Sequence, residues 1–206
     1  MTKIKLCGIR CDQDAEYANA VMPDMIGFVF VKGRKRYVMP EKALSIRKKL
    51  SAGIIPVGVF IDEDIESICA LVKNGVIDMI QLHGNESDGY VKKLKASISV
   101  PVMQAFQIKS EYDIINAKNS IADMILLDSG AGTGKTFSHS FIKNIERPYF
   151  LAGGLDPENV GKAVRTLSPY GVDASSSLET NGYKDIEKMI KFTAAVRSAA
   201  VEKEPH

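Results

Sequence analysis

Apolar residues in this chain gather in short runs, separated by longer stretches in which they recur every three or four positions. The runs cover residues 4–7, 25–30, 57–61, 79–82, 102–106, 124–127, 149–152 and 171–174. Mostly apolar runs of this length read as strands buried on both faces, the pattern of a parallel sheet covered by helices. Pro56 and Pro101 stand beside two of the runs, where proline is tolerable at a strand's first residue.

The intervening stretches read as helices. Asp62 caps a segment with Ile65, Ile68, Cys69 and Val72 on one face and Gly75 closing it. Pro40 starts another, with Ala43, Ile46 and Leu50 inward. Asp156 caps a third, with Pro157 at its first position and Val160, Ala163, Val164 and Leu167 repeating the spacing. The last helix runs from about Lys184 with Ile186, Met189, Ile190 and Val196 packed inward, and 202–206 fray.

Eight strand–helix units at about 26 residues each can form an open sheet or a closed barrel. The glycines and polar residues favour closure, because they gather just after the runs: Gly8-Ile9-Arg10, His83-Gly84-Asn85-Glu86, residues 128–134, Gly153-Gly154 and Ser175-Ser176-Ser177. In a barrel all these strand ends meet on one face, where active sites are built. The expected fold is an α/β protein with one (β/α)8 (TIM) barrel domain over residues 1–206.

Composition narrows the partners. A chain of 206 residues, 45% hydrophobic and 25% charged, buries one substantial core. Its 27 Lys and Arg against 25 Asp and Glu leave a net charge of +2, too little for a broad polyanion-binding surface, so no nucleic acid is expected. Cys7, Cys11 and Cys69 form no CxxC pair and the N-terminus lacks a long apolar segment. A reducing cytoplasm and no membrane association fit best. His83 is not clustered with His139 or His206, so no metal site is expected.

Candidate chemistry concentrates at the strand ends. Cys7 closes the first run and Asp128 the sixth, which in a barrel places a thiol and a carboxyl across the mouth from each other, as an acid–base pair requires. Their ordinary pKa values, near 8.5 and 4, are mismatched to neutral pH, so the site is expected to depress the first and raise the second. His83, after the fourth run, is a further candidate at the mouth. Lys32-Gly33-Arg34-Lys35-Arg36 follows the second run, and Arg36 suits a substrate carboxylate because a guanidinium grips it with two parallel hydrogen bonds. Gly153-Gly154 and Ser175-Ser176 occupy the two loops where such barrels seat a phosphate. Gly134-Lys135-Thr136 ends like a nucleotide-binding loop, but the glycine required five positions earlier is Ser129.

These residues, in this order, resemble the phosphoribosylanthranilate isomerases of tryptophan biosynthesis nearly end to end. The marks are Lys5-Leu6-Cys7-Gly8, Gly27-Phe28-Val29-Phe30, Arg36-Tyr37-Val38, Gly58-Val59-Phe60, Gln81-Leu82-His83-Gly84, Leu127-Asp128, Gly132-Thr133-Gly134 with Phe137, Leu151-Ala152-Gly153-Gly154-Leu155, and Gly171-Val172-Asp173-Ala174-Ser175-Ser176 with Glu179, Gly182, Lys184 and Asp185. The resemblance implies a cofactor-independent Amadori rearrangement with Asp128 as general acid and Cys7 as general base. It further implies that Arg36 binds the anthranilate carboxylate, that the Gly153-Gly154 and Ser175-Ser176 loops bind the phosphate, and that Gly132 and Gly134 belong to a loop closing over the substrate. His83 and Asp173 join the substrate-contacting set. The partner is a small phosphosugar, with association with other tryptophan-pathway enzymes a further expectation. Arg34, Lys35, Ser138, His139 and Ser177 depart from the usual pattern. The nearest rival is another phosphosugar Amadori isomerase, of the histidine pathway or of dual specificity, although that chemistry pairs two aspartates where this chain offers Cys7. A barrel that has lost activity and acts as a binding partner is the other alternative.

Overall fold

The computed structural model describes residues 1–129 and 145–201. Among these residues, eight parallel strands close into a barrel in sequence order: β1 (Lys3–Cys7), β2 (Met25–Val29), β3 (Ile55–Phe60), β4 (Met79–Leu82), β5 (Val102–Gln107), β6 (Met124–Asp128), β7 (Tyr149–Ala152) and β8 (Gly171–Ala174). β8 pairs with β1 through Ile4 opposite Val172, which completes the ring. Helices α1 (Asp12–Val21), α2 (Pro40–Arg47), α3 (Ile65–Lys73), α4 (Asp88–Ser97), α5 (Glu111–Asn119), α6 (Val160–Leu167) and α7 (Ile186–Val201) follow strands as crossovers. No described helix is long and apolar enough to cross a membrane.

The strand period of two sorts the side chains. One set packs inside the ring, where Met25, Val57, Met79, Met103, Leu126 and Phe150 form a single buried cluster. The alternate set, including Leu6, Ile26, Ile80 and Leu127, packs outward against the helices. Lys5, Cys7, Gln81, Asp128 and Asp173 keep step with the inward set. The barrel is therefore apolar at its base and charged toward its C-terminal mouth.

Gly171 illustrates how tightly the base is filled: a Cβ there meets the Phe150 ring, with its Cδ1 and Cζ both 2.6 Å away. Gly171→Ala is expected to lose about 1–3 kcal/mol through overpacking, read as a lower urea midpoint with an unchanged slope.

Several expected details are corrected. Pro56 is the second residue of β3, not the first. Its carbonyl accepts from the Asp78 N–H, so the N–H it lacks faces β4 before that strand begins, and no ladder bond is lost. Asp62 does not cap α3: Asp64 does, accepting from the Ser67 N–H at 2.8 Å. Asp62 takes φ +48 and instead accepts from the Asn85 N–H at 2.9 Å. It thereby ties the loop after β3 to the loop after β4. Asp156 accepts from the N–H groups of Glu158 and Asn159, capping a turn from which regular helix starts only at Val160. In α7 the buried stripe is Met189, Phe192, Val196 and Ala199, while Ile190 is 46% exposed. The stripe advances by three and four residues, and Ile190 falls one position outside it. Residues 202–206 lie outside the described residues.

Candidate active site

The mouth is assembled around the end of β1. Gly8 takes φ +85, a conformation glycine adopts without strain, and a Cβ there would lie 2.5 Å from Arg36 Cδ and 3.2 Å from Ser175 Oγ. The missing side chain lets the Arg36 stem and the β8 loop close on Cys7. Ser175 Oγ donates to the Cys7 carbonyl at 3.1 Å. Cys7 itself is only 8% exposed.

Arg36 reaches this point because the chain after β2 is pinned on both sides of it. Tyr37 bridges Val29, and Val38 is buried and donates its N–H to the Val29 carbonyl. The guanidinium presents Nε and Nη2 to both carboxylate oxygens of Glu179, at 2.5 and 2.9 Å. Glu179 begins a short hairpin (Glu179–Thr180 with Tyr183–Lys184). Lys184, buried, donates to Glu179 Oε1 at 3.2 Å and to the Ser175 carbonyl at 3.0 Å. Burial alone would raise the Glu179 carboxyl, but Arg36 and Lys184 hold it below the usual carboxylate range. Arg36 is thus fixed along one edge.

The rest of the basic loop behaves differently. Lys32, Arg34 and Lys35 are exposed. Arg10 staples that loop to the hairpin, donating to the carbonyls of Lys35 and Gly182 and lying 5.0 Å from the Tyr183 ring centroid. Ser177 Oγ donates to the Leu155 carbonyl, joining the β8 loop to the β7 loop. The departure at position 177 therefore serves loop packing.

Across the mouth, Asp128 ends β6 with a side chain 23% exposed, its Oδ2 3.5 Å from His83 Nε2. Gln81, one inward step down β4, lies 3.1 Å from His83 Nδ1. Gly153, at φ +89, packs its bare Cα against this corner: a Cβ there would meet Ser129 Oγ and sit 2.5 Å from Asp128 Oδ1. Gly154, at φ +64, faces open space. Ser175 precedes a single 3-10 turn, Ser176–Leu178, and the Ser177–Leu155 hydrogen bond makes the two candidate phosphate loops neighbours.

Asp173 is buried in the barrel, 3.0 Å from Lys5 Nζ. Burial pushes its carboxyl up, against the opposing pull of Lys5. The Cys7 thiol is also pushed up by burial, with Lys5 and Lys184 pulling it down. The expected depression of the thiol is corrected in this respect: the apolar surroundings act more strongly than the nearby ammonium groups. Gly132 and Gly134, with Ser138 and His139, lie outside the described residues. No cluster of metal-binding type occurs among the described residues.

Sequence reasoning gave no role to Lys5, Glu179 or Lys184. The available signal for Lys5 was a lysine inside an apolar strand run, two residues from Cys7 and hence on the same face. Glu179 and Lys184 stand among the marks of the resemblance but no local pattern gives them a role, because that depends on how the hairpin folds back.

The arrangement supplies a thiol and a carboxyl at the C-terminal ends of β1 and β6, a fixed guanidinium, and neighbouring glycine and serine loops. A sequence model of N-(5'-phosphoribosyl)anthranilate (PRA) isomerase matches residues 4–195. Among curated proteins, the N-(5'-phosphoribosyl)anthranilate isomerase of Endomicrobium trichonymphae is 40% identical over 203 residues, covering 96% of this chain and all of that protein. Among solved structures, phosphoribosyl anthranilate isomerase from Thermotoga maritima superimposes with a TM-score of 0.89 at 34% identity, covering 96% of this chain and 100% of that one. A phosphoribosyl anthranilate isomerase in complex with reduced 1-(o-carboxyphenylamino)-1-deoxyribulose 5-phosphate gives 0.86 at 33% identity, covering 96% and 100%.

Proposed function

The chain belongs to the N-(5'-phosphoribosyl)anthranilate isomerase family of tryptophan biosynthesis, and from that premise we propose that it converts N-(5-phosphoribosyl)anthranilate to 1-(2-carboxyphenylamino)-1-deoxyribulose 5-phosphate by a cofactor-independent Amadori rearrangement. The observation that carries this reading is the placement of Cys7 and Asp128 at inward positions ending β1 and β6.

Asp128 enters protonated and gives its proton to the furanose ring oxygen as the C1–O bond breaks. The nitrogen lone pair forms the C1=N bond of a Schiff base. That cation acidifies the neighbouring C2–H, and the Cys7 thiolate takes the proton while the C2–H electron pair forms the C1=C2 bond of an enolamine. Tautomerisation, with loss of the C2 hydroxyl proton and protonation of C1, gives the ketone. Each proton transfer needs a group held within hydrogen-bond reach of one atom, and the rigid strand ends provide this.

Glu179 occupies Nε and Nη2 of Arg36, leaving Nη1 and the second Nη2 hydrogen for the anthranilate carboxylate. Gly153, Gly154, Ser175 and Ser176 receive the phosphate, with the open space beside Gly154 giving the close approach. His83 borders the reacting sugar through Asp128. Arg36→Lys keeps one charge but loses the planar fork. Losing one charge-assisted hydrogen bond of this kind costs about 1.5–3 kcal/mol, so KM is expected to rise by about 10–100-fold with kcat changed much less, as steady-state kinetics reads.

The reading is tested by giving freshly formed phosphoribosylanthranilate to the protein in the presence of a chelator and separating the products. Conversion to the carboxyphenylamino-deoxyribulose phosphate is expected. Conversion only of the histidine-pathway aminoaldose, with none of the anthranilate compound, would overturn it.

A further inference from the structure

Lys5 has no part in the steps above, yet it lies wholly buried inside the barrel. An ammonium there carries a large desolvation cost, offset only by well-placed partners. One partner is Asp173, at 3.0 Å. The second is Cys7, whose negative form favours the Lys5 charge. Gly27 stands directly opposite Cys7 in the β1–β2 register. A Cβ on Gly27 would sit 2.7 Å from Cys7 Sγ and 3.2 Å from Lys5 Nζ. Thiol and ammonium therefore converge on the one spot that β2 leaves empty.

We propose that Lys5 is a positioning residue for the base: its ammonium is the counter-charge that allows Cys7 to ionise inside the barrel, and Asp173 holds that ammonium in place. This rests on the reading of Cys7 as the proton acceptor. The charges around the thiol support it. Lys5 on β1, Lys184 on the hairpin and Arg36 in the β2 loop act on Cys7 from the positive side, and Asp173 on β8 acts from the negative side. Glu179 is shared between Arg36 and Lys184. Three cations against two carboxylates leave one positive charge, and the Cys7 thiolate closes the balance. His83 and Asp128 act on Asp173 from across the mouth. During the reaction the C2–H bond breaks and the S–H bond forms, while Lys5 keeps its proton throughout.

The direction of the effect follows from the signs. Removing a cation beside a thiol disfavours the thiolate, so the ionisation of Cys7 moves to higher pH. The test compares the unmodified protein with Lys5→Met, which is similar in shape and uncharged. A second variant, Lys5→Met with Asp173→Asn, leaves no buried carboxylate without its partner and carries the test if the single variant does not fold. Thiolate formation is followed by ultraviolet absorbance across pH, with the Cys7 contribution taken as the difference from a matching Cys7→Ser protein.

The Cys7 curve is expected to move up by about 1–3 pH units in Lys5→Met, and by less in the double variant. Turnover near neutral pH is expected to fall about 10²-fold and to recover in part as pH rises, with little change in KM. A Cys7 curve unmoved in a folded variant would overturn the inference. The absorbance measurement needs no turnover, so it is separate from the underlying reading. That reading fails instead if Cys7→Ser retains full activity.

Discussion

Asp128→Asn is expected to lower kcat by about 10²–10⁴-fold, the range a positioned general acid contributes, with KM changed far less. The reason is specific to the step. When the furanose opens, negative charge develops on the ring oxygen, and an asparagine amide can donate a hydrogen bond there but cannot give up a proton. The substitution is also nearly isosteric. Asp128 ends β6 beside Gly153, whose bare Cα leaves just enough room for the carboxyl, and an amide fits the same space. Thermal melting is therefore expected to stay close to that of the unmodified protein, so a kinetic loss would report chemistry and not unfolding.

Cys7→Ser is expected to cost about 10³-fold or more in kcat. A serine hydroxyl fills the site, but its conjugate base is too unstable to form at neutral pH, even beside Lys5. Binding is expected to survive, since the groups assigned to the carboxylate and phosphate are Arg36 and the Gly153-Gly154 and Ser175-Ser176 loops. Steady-state kinetics beside calorimetric binding of the reduced product analogue checks this. Loss of binding in step with kcat would mean that Cys7 acts through the shape of the mouth. Retained turnover would remove it from the chemistry.

The two substitutions act at the ends of β1 and β6. They remove successive steps of one reaction.

The barrel was legible in the sequence because strands buried on both faces are mostly apolar, and a single polar residue such as Gln81 or Asp173 does not break the run. The runs at 79–82, 149–152 and 171–174 coincide with β4, β7 and β8. The mouth was legible for a related reason: positions such as Gly8 and Gly153 require positive φ and close approach, and polar residues after apolar runs have only the strand ends to occupy. Caps were harder to place. Asp62 and Asp64 are both good N-cap residues, and the choice between them depends on Asn85 and Glu86 arriving from the next loop. The charge network was the least legible. The Arg36–Glu179 pair joins residues 143 apart and the Lys5–Asp173 pair residues 168 apart in sequence, and no local pattern announces either. The expected depression of the Cys7 thiol failed on the same ground, since depth of burial follows from closure of the ring.

The fixed edge of Arg36 bears on specificity. A guanidinium clamped by Glu179 loses little further freedom when it grips a carboxylate. A substrate without that carboxylate leaves a half-buried cation with one edge unpaired, which costs binding. This favours the anthranilate compound over an aminoaldose lacking a carboxylate at the same place.

The most direct test of the acid–base pair is the decay of anthranilate-moiety fluorescence when freshly formed phosphoribosylanthranilate meets the unmodified protein, Cys7→Ser and Asp128→Asn in parallel. Rapid decay with the unmodified protein, slowed by orders of magnitude in both folded variants, is the predicted result. No decay with the folded, unmodified protein, or undiminished decay in either variant, would contradict the account.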